Sequence, residues 1–393
     1  MKQTWRWFGK NDPISLENIR QAGSDGIVSA LHGYPPGTVW SKEDILEHKQ
    51  LIEDAGLTWD VCESIWMSDE IKLKGAGAKK EVAAWKETLQ NLGEAGVKTV
   101  CYNFMPVVDW TRTDLKHPIE GKGIALRFDM IDFVAYDVYV LKRENAANDY
   151  DQATLELAQK ALADKSEEEL ALLEKNIIAG LPGGAEAAGT GEFAMRIAQF
   201  DELSDDDMRD NLVSFLEEVI PTAEANGISL AIHPDDPPFP LFGLPRIVST
   251  ESDLDYLFNA VKSPANGLTF CVGSFGARAD NDLVKMASKY IERIHFTHLR
   301  NVKRHPDGSF YEAEHLDGDL DMIAIVQSLI SAELAAKADA SKPAHEIYMR
   351  PDHGHLLAFE ENSKVNPGYS YLGRLKGMAE LRGVIQTIER FGT

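Results

Sequence analysis

Hydrophobic and polar positions along the chain repeat one unit. A short run rich in β-branched and aromatic residues ends in polar groups. An amphipathic stretch follows, and Gly or Asn precedes the next run. The runs cover residues 4–9, 26–31, 58–64, 98–104, 228–234, 267–273, 291–301 and 346–354. Helix starts lie at Asp12-Pro13 with Ser15, at Ser41 before Glu43 and Asp44, at Ser204 before Asp207, and at Thr250 before Asp253. Stops lie at Ala55-Gly56, Ala95-Gly96 and Asn226-Gly227, each just before a β-rich run. Strands alternating with helices predict an α/β protein with a parallel sheet. Eight such units predict closure into a (β/α)8 TIM barrel, one domain over residues 1–393. An open doubly wound sheet is the rival, but no glycine-rich phosphate turn follows the first run.

The regularity breaks once, between the fourth and fifth runs. Residues 105–201 exceed any simple βα connection and show no strand pattern. They hold a charged helical section, 150–181, and a Gly/Ala-rich one, 180–191. The expectation is a long helical insertion after strand 4, serving as an active-site lid or a contact in a homo-oligomer.

A formal net charge of −23 argues against nucleic acid or an anionic membrane surface as partner, since both reward clustered Lys and Arg. It leaves room for a small anionic substrate held by a few cations in a cleft. Three cysteines, Cys62, Cys101 and Cys271, cannot make a disulfide framework in 393 residues and fit a reducing compartment. With no apolar run of signal-peptide or membrane-spanning length, a cytoplasmic protein is expected.

Catalytic groups of such barrels sit at the C-terminal strand ends. Strands five to eight close on His233, Cys271, His298 and Asp352, all able to bind a divalent metal. Neighbouring parallel strands lie about 4.8 Å apart, so inward side chains at matching heights can converge on one ion. Alternation puts Phe296, His298 and Arg300 on one face, with His295 opposite, and groups Tyr348, Arg350 and Asp352. A buried strand cysteine is ordinarily only a small hydrophobe, and a strand-end histidine is often structural. Four candidates at successive strand ends favour a metal site. Imidazole and thiolate suit zinc, whereas carboxylate and open coordination also suit iron(II) or manganese(II). The absence of a Cys-x-x-Cys pair disfavours a closed structural zinc site. A thiolate at Cys271 would also make metal-free protein sensitive to alkylation. Arg300 and Arg350 could bind a substrate carboxylate or pair with protein acids. His353 points away if the strand continues past Asp352, or over the cavity if the chain turns there. The turn Asn366-Pro367-Gly368-Tyr369-Ser370-Tyr371 could bring a tyrosine back over the site.

Trp5-Arg6-Trp7-Phe8-Gly9, Cys101-Tyr102-Asn103-Phe104-Met105-Pro106-Val107, Phe296-Thr297-His298-Leu299-Arg300-Asn301 and Arg350-Pro351-Asp352-His353-Gly354 together resemble the D-mannonate dehydratase family of hexuronate catabolism. The resemblance covers the whole chain. It implies metal-dependent loss of water from D-mannonate to give 2-keto-3-deoxy-D-gluconate, with Mn2+ or Fe2+ as cofactor. The family's His, Cys, His, Asp ligand set falls on His233, Cys271, His298 and Asp352. The resemblance further implies catalytic roles for His353 and a downstream tyrosine, Tyr369 by its Pro-Gly-Tyr context with Tyr371 as the alternative. Asn103 joins Arg300 and Arg350 as an expected substrate contact. Two rivals remain: a metal-dependent sugar isomerase or epimerase on the same barrel, and a non-catalytic sugar-acid sensor.

Overall fold

Each of the eight β-rich runs forms a parallel strand in the computed structural model, which describes residues 1–180, 189–338 and 346–391. The barrel strands are β1 (Lys2–Arg6), β2 (Gly26–Ser29), β3 (Thr58–Glu63), β4 (Thr99–Tyr102), β7 (Ser229–Ile232), β8 (Asn266–Cys271), β9 (Ile294–His298) and β12 (Tyr348–Arg350). They close in the order β1-β12-β9-β8-β7-β4-β3-β2. Helices cover the outside, so strands such as β2 and β8 are buried along their whole length. Val28, Val61, Cys101, Phe296 and Tyr348 form a cluster of their own, contributed by five barrel strands and separate from the larger core.

The helix signals hold. Ser15, Ser41, Ser204 and Thr250 are N-caps whose side chains accept a backbone N–H in the first turn. Gly56, Gly96 and Gly227 each adopt positive φ just past a helix, a backbone conformation with little cost only for glycine.

The insertion differs from expectation. Residues 105–201 are not strand-free: β5 (Asp114–Ile119) and β6 (Gly123–Phe128) form an antiparallel hairpin. β6 pairs with β11 (Phe310–Ala313), which pairs with β10 (Asn301–Arg304), giving a second, four-stranded antiparallel sheet in the order β10-β11-β6-β5. Pro118 and the charged residues of the hairpin obscure its alternation, and its pairing partner lies far down the chain, beyond any local pattern. Likewise the seventh run, expected over 291–301, divides into a 3-10 turn, Ile291–Arg293, then β9, while Asn301 already begins β10. The helical section appears as Gln152–Ala163 and Glu167–Ile178. Of the Gly/Ala-rich section, residues 181–188 lie outside the described residues.

Candidate active site

Strand register sets the heights of the candidate ligands. An irregularity between Leu268 and Thr269 puts Cys271, the last residue of β8, beside His298 at the end of β9. Arg350, the last residue of β12, is in register with His298 on the other side. His233 follows β7, and its ligand atom lies within 4.8 Å of those of Cys271 and His298, which likewise lie within 4.8 Å of each other. Asp352 approaches both: Oδ2 is 3.9 Å from Cys271 Sγ, and Oδ1 is 3.9 Å from His298 Nδ1. His295 packs instead where Gly267 leaves room for its ring, as its opposite face requires.

The donor set fits a divalent ion. His233 Nδ1–H donates to the Pro234 carbonyl at 2.7 Å, which leaves its Nε2 as a lone pair 3.2 Å from His298 Nδ1. Burial lowers the affinity of both imidazoles for protons, so both are neutral. His298 Nε2 finds no hydrogen-bond partner among the described residues, yet lies 3.6 Å from Glu63 Oε1. A proton on Nε2, facing that carboxylate, would free Nδ1, which Arg350 also approaches at 3.5 Å, as a donor beside His233 Nε2 and the Cys271 sulfur. Two imidazole nitrogens and a sulfur within 4.8 Å of one another make a donor set that suits a divalent ion. Burial pushes the Cys271 thiol up to about 12, against the pull of Arg300. Cys271 is fully buried, which opposes the expected alkylation.

β12 ends at Arg350, and Asp352, at φ 66, turns the chain. Both Asp352 and His353 consequently line the central cavity of about 580 Å³. Asn103, His233, Arg300, Arg350 and Tyr369 line the same cavity, while His298 and Cys271 are fully buried beside it. Asn103 Oδ1 accepts from the Met105 amide. Tyr369 packs edge-on against His353 with ring centroids 4.8 Å apart. Burial raises its hydroxyl pKa above the ordinary value, against Arg350 and Arg6. Tyr371 lies away from the cavity, its hydroxyl donating to the Asn18 carbonyl.

Arg300 and Arg350 are chiefly partners of protein carboxylates. Arg300 reaches Asp236 at 2.7 Å and Glu312 at 3.0 Å, and Arg350 reaches Asp352 at 2.5 Å and Glu63 at 3.0 Å. Arg6 pairs with Glu63, and Arg112 with Asp236 and Glu312. The network holds four arginines, Arg6, Arg112, Arg300 and Arg350, and four carboxylates, Glu63, Asp236, Glu312 and Asp352. Burial alone would raise these acids, but the surrounding guanidiniums hold Glu63, Asp236 and Asp352 below the ordinary carboxylate range. Glu312, beside His353 as well, is held at about 2. The Nε atoms of Arg6, Arg300 and Arg350 are buried and have no hydrogen-bond partner among the described residues.

Five of these residues escaped the sequence reading, among them Arg112, which lies in the segment after β4. Arg6 and Glu63 end strands β1 and β3, where the barrel rule would have found them. Asp236 stands three residues past His233, behind a turn. Glu312 carried no signal, because it lies on a strand of the second sheet.

A profile of the D-mannonate dehydratase (UxuA) family matches residues 1–392. Mannonate dehydratase 2 of Agrobacterium fabrum is 56% identical over 99% of this chain and 98% of its own length. Mannonate dehydratase of Saccharophagus degradans is 55% identical over the same shares. The crystal structure of mannonate dehydratase from Streptococcus suis serotype 2 superposes with a TM-score of 0.77 at 32% identity, covering 100% of this chain and 95% of that one.

Proposed function

The chain belongs to the D-mannonate dehydratase family, and from that premise we propose that it is a hydro-lyase converting D-mannonate to 2-keto-3-deoxy-D-gluconate. One observation carries the assignment to this site: the His233, Cys271 and His298 donors meet beside a cavity walled by His353 and Tyr369. His233, Cys271, His298 and Asp352 would hold the metal, Mn2+ or Fe2+, whose ligand set of imidazole, thiolate and carboxylate suits either. Bound there, the ion would stabilise the negative charge that develops on substrate oxygens as the C2 proton leaves.

The chain's own residues divide the proton transfers. His353 Nδ1 lies 2.8 Å from Glu312 Oε2, so the proton sits on Nδ1 and Nε2 offers a lone pair as the base for the C2 proton. The buried phenol of Tyr369 stays protonated and supplies the proton that leaves with the C3 hydroxyl as water. Arg300, Arg350 and Asn103 would orient the substrate from the cavity wall.

Charge supports a monoanionic substrate. Four arginines balance four carboxylates within the network, so a divalent ion beside it would supply positive charge for the carboxylate of an aldonate. Val107, Trp110, Ile178, Phe193 and Arg196 of the insertion line the cavity, which supports its reading as a cover. Leu157, Leu172 and Met195 expose apolar side chains on its helices, in keeping with contact to a second copy in a homo-oligomer. No described helix is long and apolar enough to cross a membrane. Its three buried free thiols suit the cytoplasm.

The test is product identity. Metal-reconstituted protein incubated with D-mannonate should yield a 2-keto-3-deoxy acid by NMR. An epimerised aldonate would support the isomerase reading, and binding without turnover the sensor.

A further inference from the structure

Two insertions that are separate in sequence build one small sheet, and that sheet delivers one carboxylate to the catalytic histidine. Glu312 lies on β11, outside the barrel, and is 3% exposed. Its two oxygens have different partners. Oε1 accepts from Arg112 at 2.9 Å and from Arg300 at 3.0 Å, whereas Oε2 accepts from His353 Nδ1 at 2.8 Å. Arg112, itself fully buried, comes from the segment after β4 and packs its guanidinium over Trp110 and Phe310. The pairing of β6 with β11 brings these groups together at the back of His353.

We propose that Glu312 is the positioning residue of a Glu312–His353 dyad, fixing the imidazole with its proton on Nδ1 and Nε2 toward the substrate, and that the second sheet exists in part to place it. This rests on the proposed dehydratase reading for its kinetic consequence, but not for its geometry. Next to the left-handed Asp352, and packed against Trp110 and Tyr369 with Arg300 Nη1 3.4 Å from Nδ1, the imidazole without Glu312 could rotate or take the other tautomer, and either change removes the lone pair from the cavity. Arg112 and Arg300 hold the Glu312 carboxylate in place through its other oxygen, so it cannot follow His353 if the ring swings.

Two experiments test this. Long-range proton–nitrogen NMR on metal-free protein with 15N-histidine should show the Nδ1–H tautomer at His353 and its loss in Glu312→Gln, whatever the enzyme's substrate; an Nε2–H tautomer in the wild type overturns the proposal. In kinetics with D-mannonate, Glu312→Gln should keep metal content and KM while kcat falls roughly 10- to 100-fold. In a His353→Asn background the same change should cost less than about twofold, because the partner it acts through is gone. A wild-type kcat in Glu312→Gln, or an equal further loss in the His353→Asn background, contradicts the dyad. If Glu312→Gln does not fold, Glu312→Asp keeps the charge facing Arg112 and Arg300 while withdrawing it from His353. It should show the same kcat loss at normal melting temperature, and normal kcat would reject the proposal. Absence of dehydration in the wild type would fail the functional reading alone, since the tautomer is read without turnover.

Discussion

Tyr369 and Tyr371 stand two positions apart in the chain and serve different places. The turn at Gly368 sends Tyr369 into the cavity against His353 and Phe8, while Tyr371 stacks near Trp5 and bonds to Asn18. Tyr369→Phe should therefore retain metal and lose roughly 10²-fold or more in kcat, as expected for a lost proton donor. Tyr371→Phe should stay close to wild type. Steady-state kinetics with metal content measured on the same samples checks both, and the reverse ranking would place the catalytic tyrosine wrongly. The two were indistinguishable in sequence, because a turn's direction depends on what packs against it. That His233, Cys271, His298 and Asp352 would be neighbours was legible because barrel topology brings strand ends to one mouth. Arg300 and Arg350 were legible as cationic wall residues but not as partners of Glu63, Asp236 and Glu312. Those acids reach the site from distant elements.

Among the elements, the helix Lys42–Asp54 shows how barrel packing couples to pH. Its buried His48 lies between Trp7 and Trp59 and meets Ser29 Oγ at 3.0 Å. Burial, with Lys10 adding to it, lowers its pKa from 6.5 to about 4. The unfolded chain thus binds the extra proton first, so stability present above about 6.5 is lost as pH falls toward 4. The loss is on the order of 2–3 kcal/mol from this group. His315, lowered to about 4 by its own burial, adds a contribution of the same sign. Urea midpoints between pH 7 and 4.5 should fall less steeply for His48→Gln than for wild type; equal slopes would deny His48 its role. Helix caps and barrel strands were legible at this scale because their signals are local. The β5–β6 hairpin was not, since its register is set by β11 across the fold.

For the molecule as a whole, eight alternating units announced the closed barrel. What they could not announce is that two insertions cooperate, one after β4 and one after β9, to form a second sheet behind the site. The consequence is a network of four arginines and four acids beside the His233, Cys271 and His298 cluster, with Glu312 against His353 Nδ1. The central claim is that dehydration depends on an ion held by His233, Cys271, His298 and Asp352. It is tested most directly by measuring bound metal and D-mannonate turnover together on wild type and Cys271→Ala, each stripped and then reloaded with Mn2+ or Fe2+. Stripped wild type should be inactive and recover with one equivalent of metal, while Cys271→Ala should fold but neither retain metal nor recover activity. Full metal occupancy with normal turnover in Cys271→Ala, or turnover by the stripped wild type, would contradict the claim.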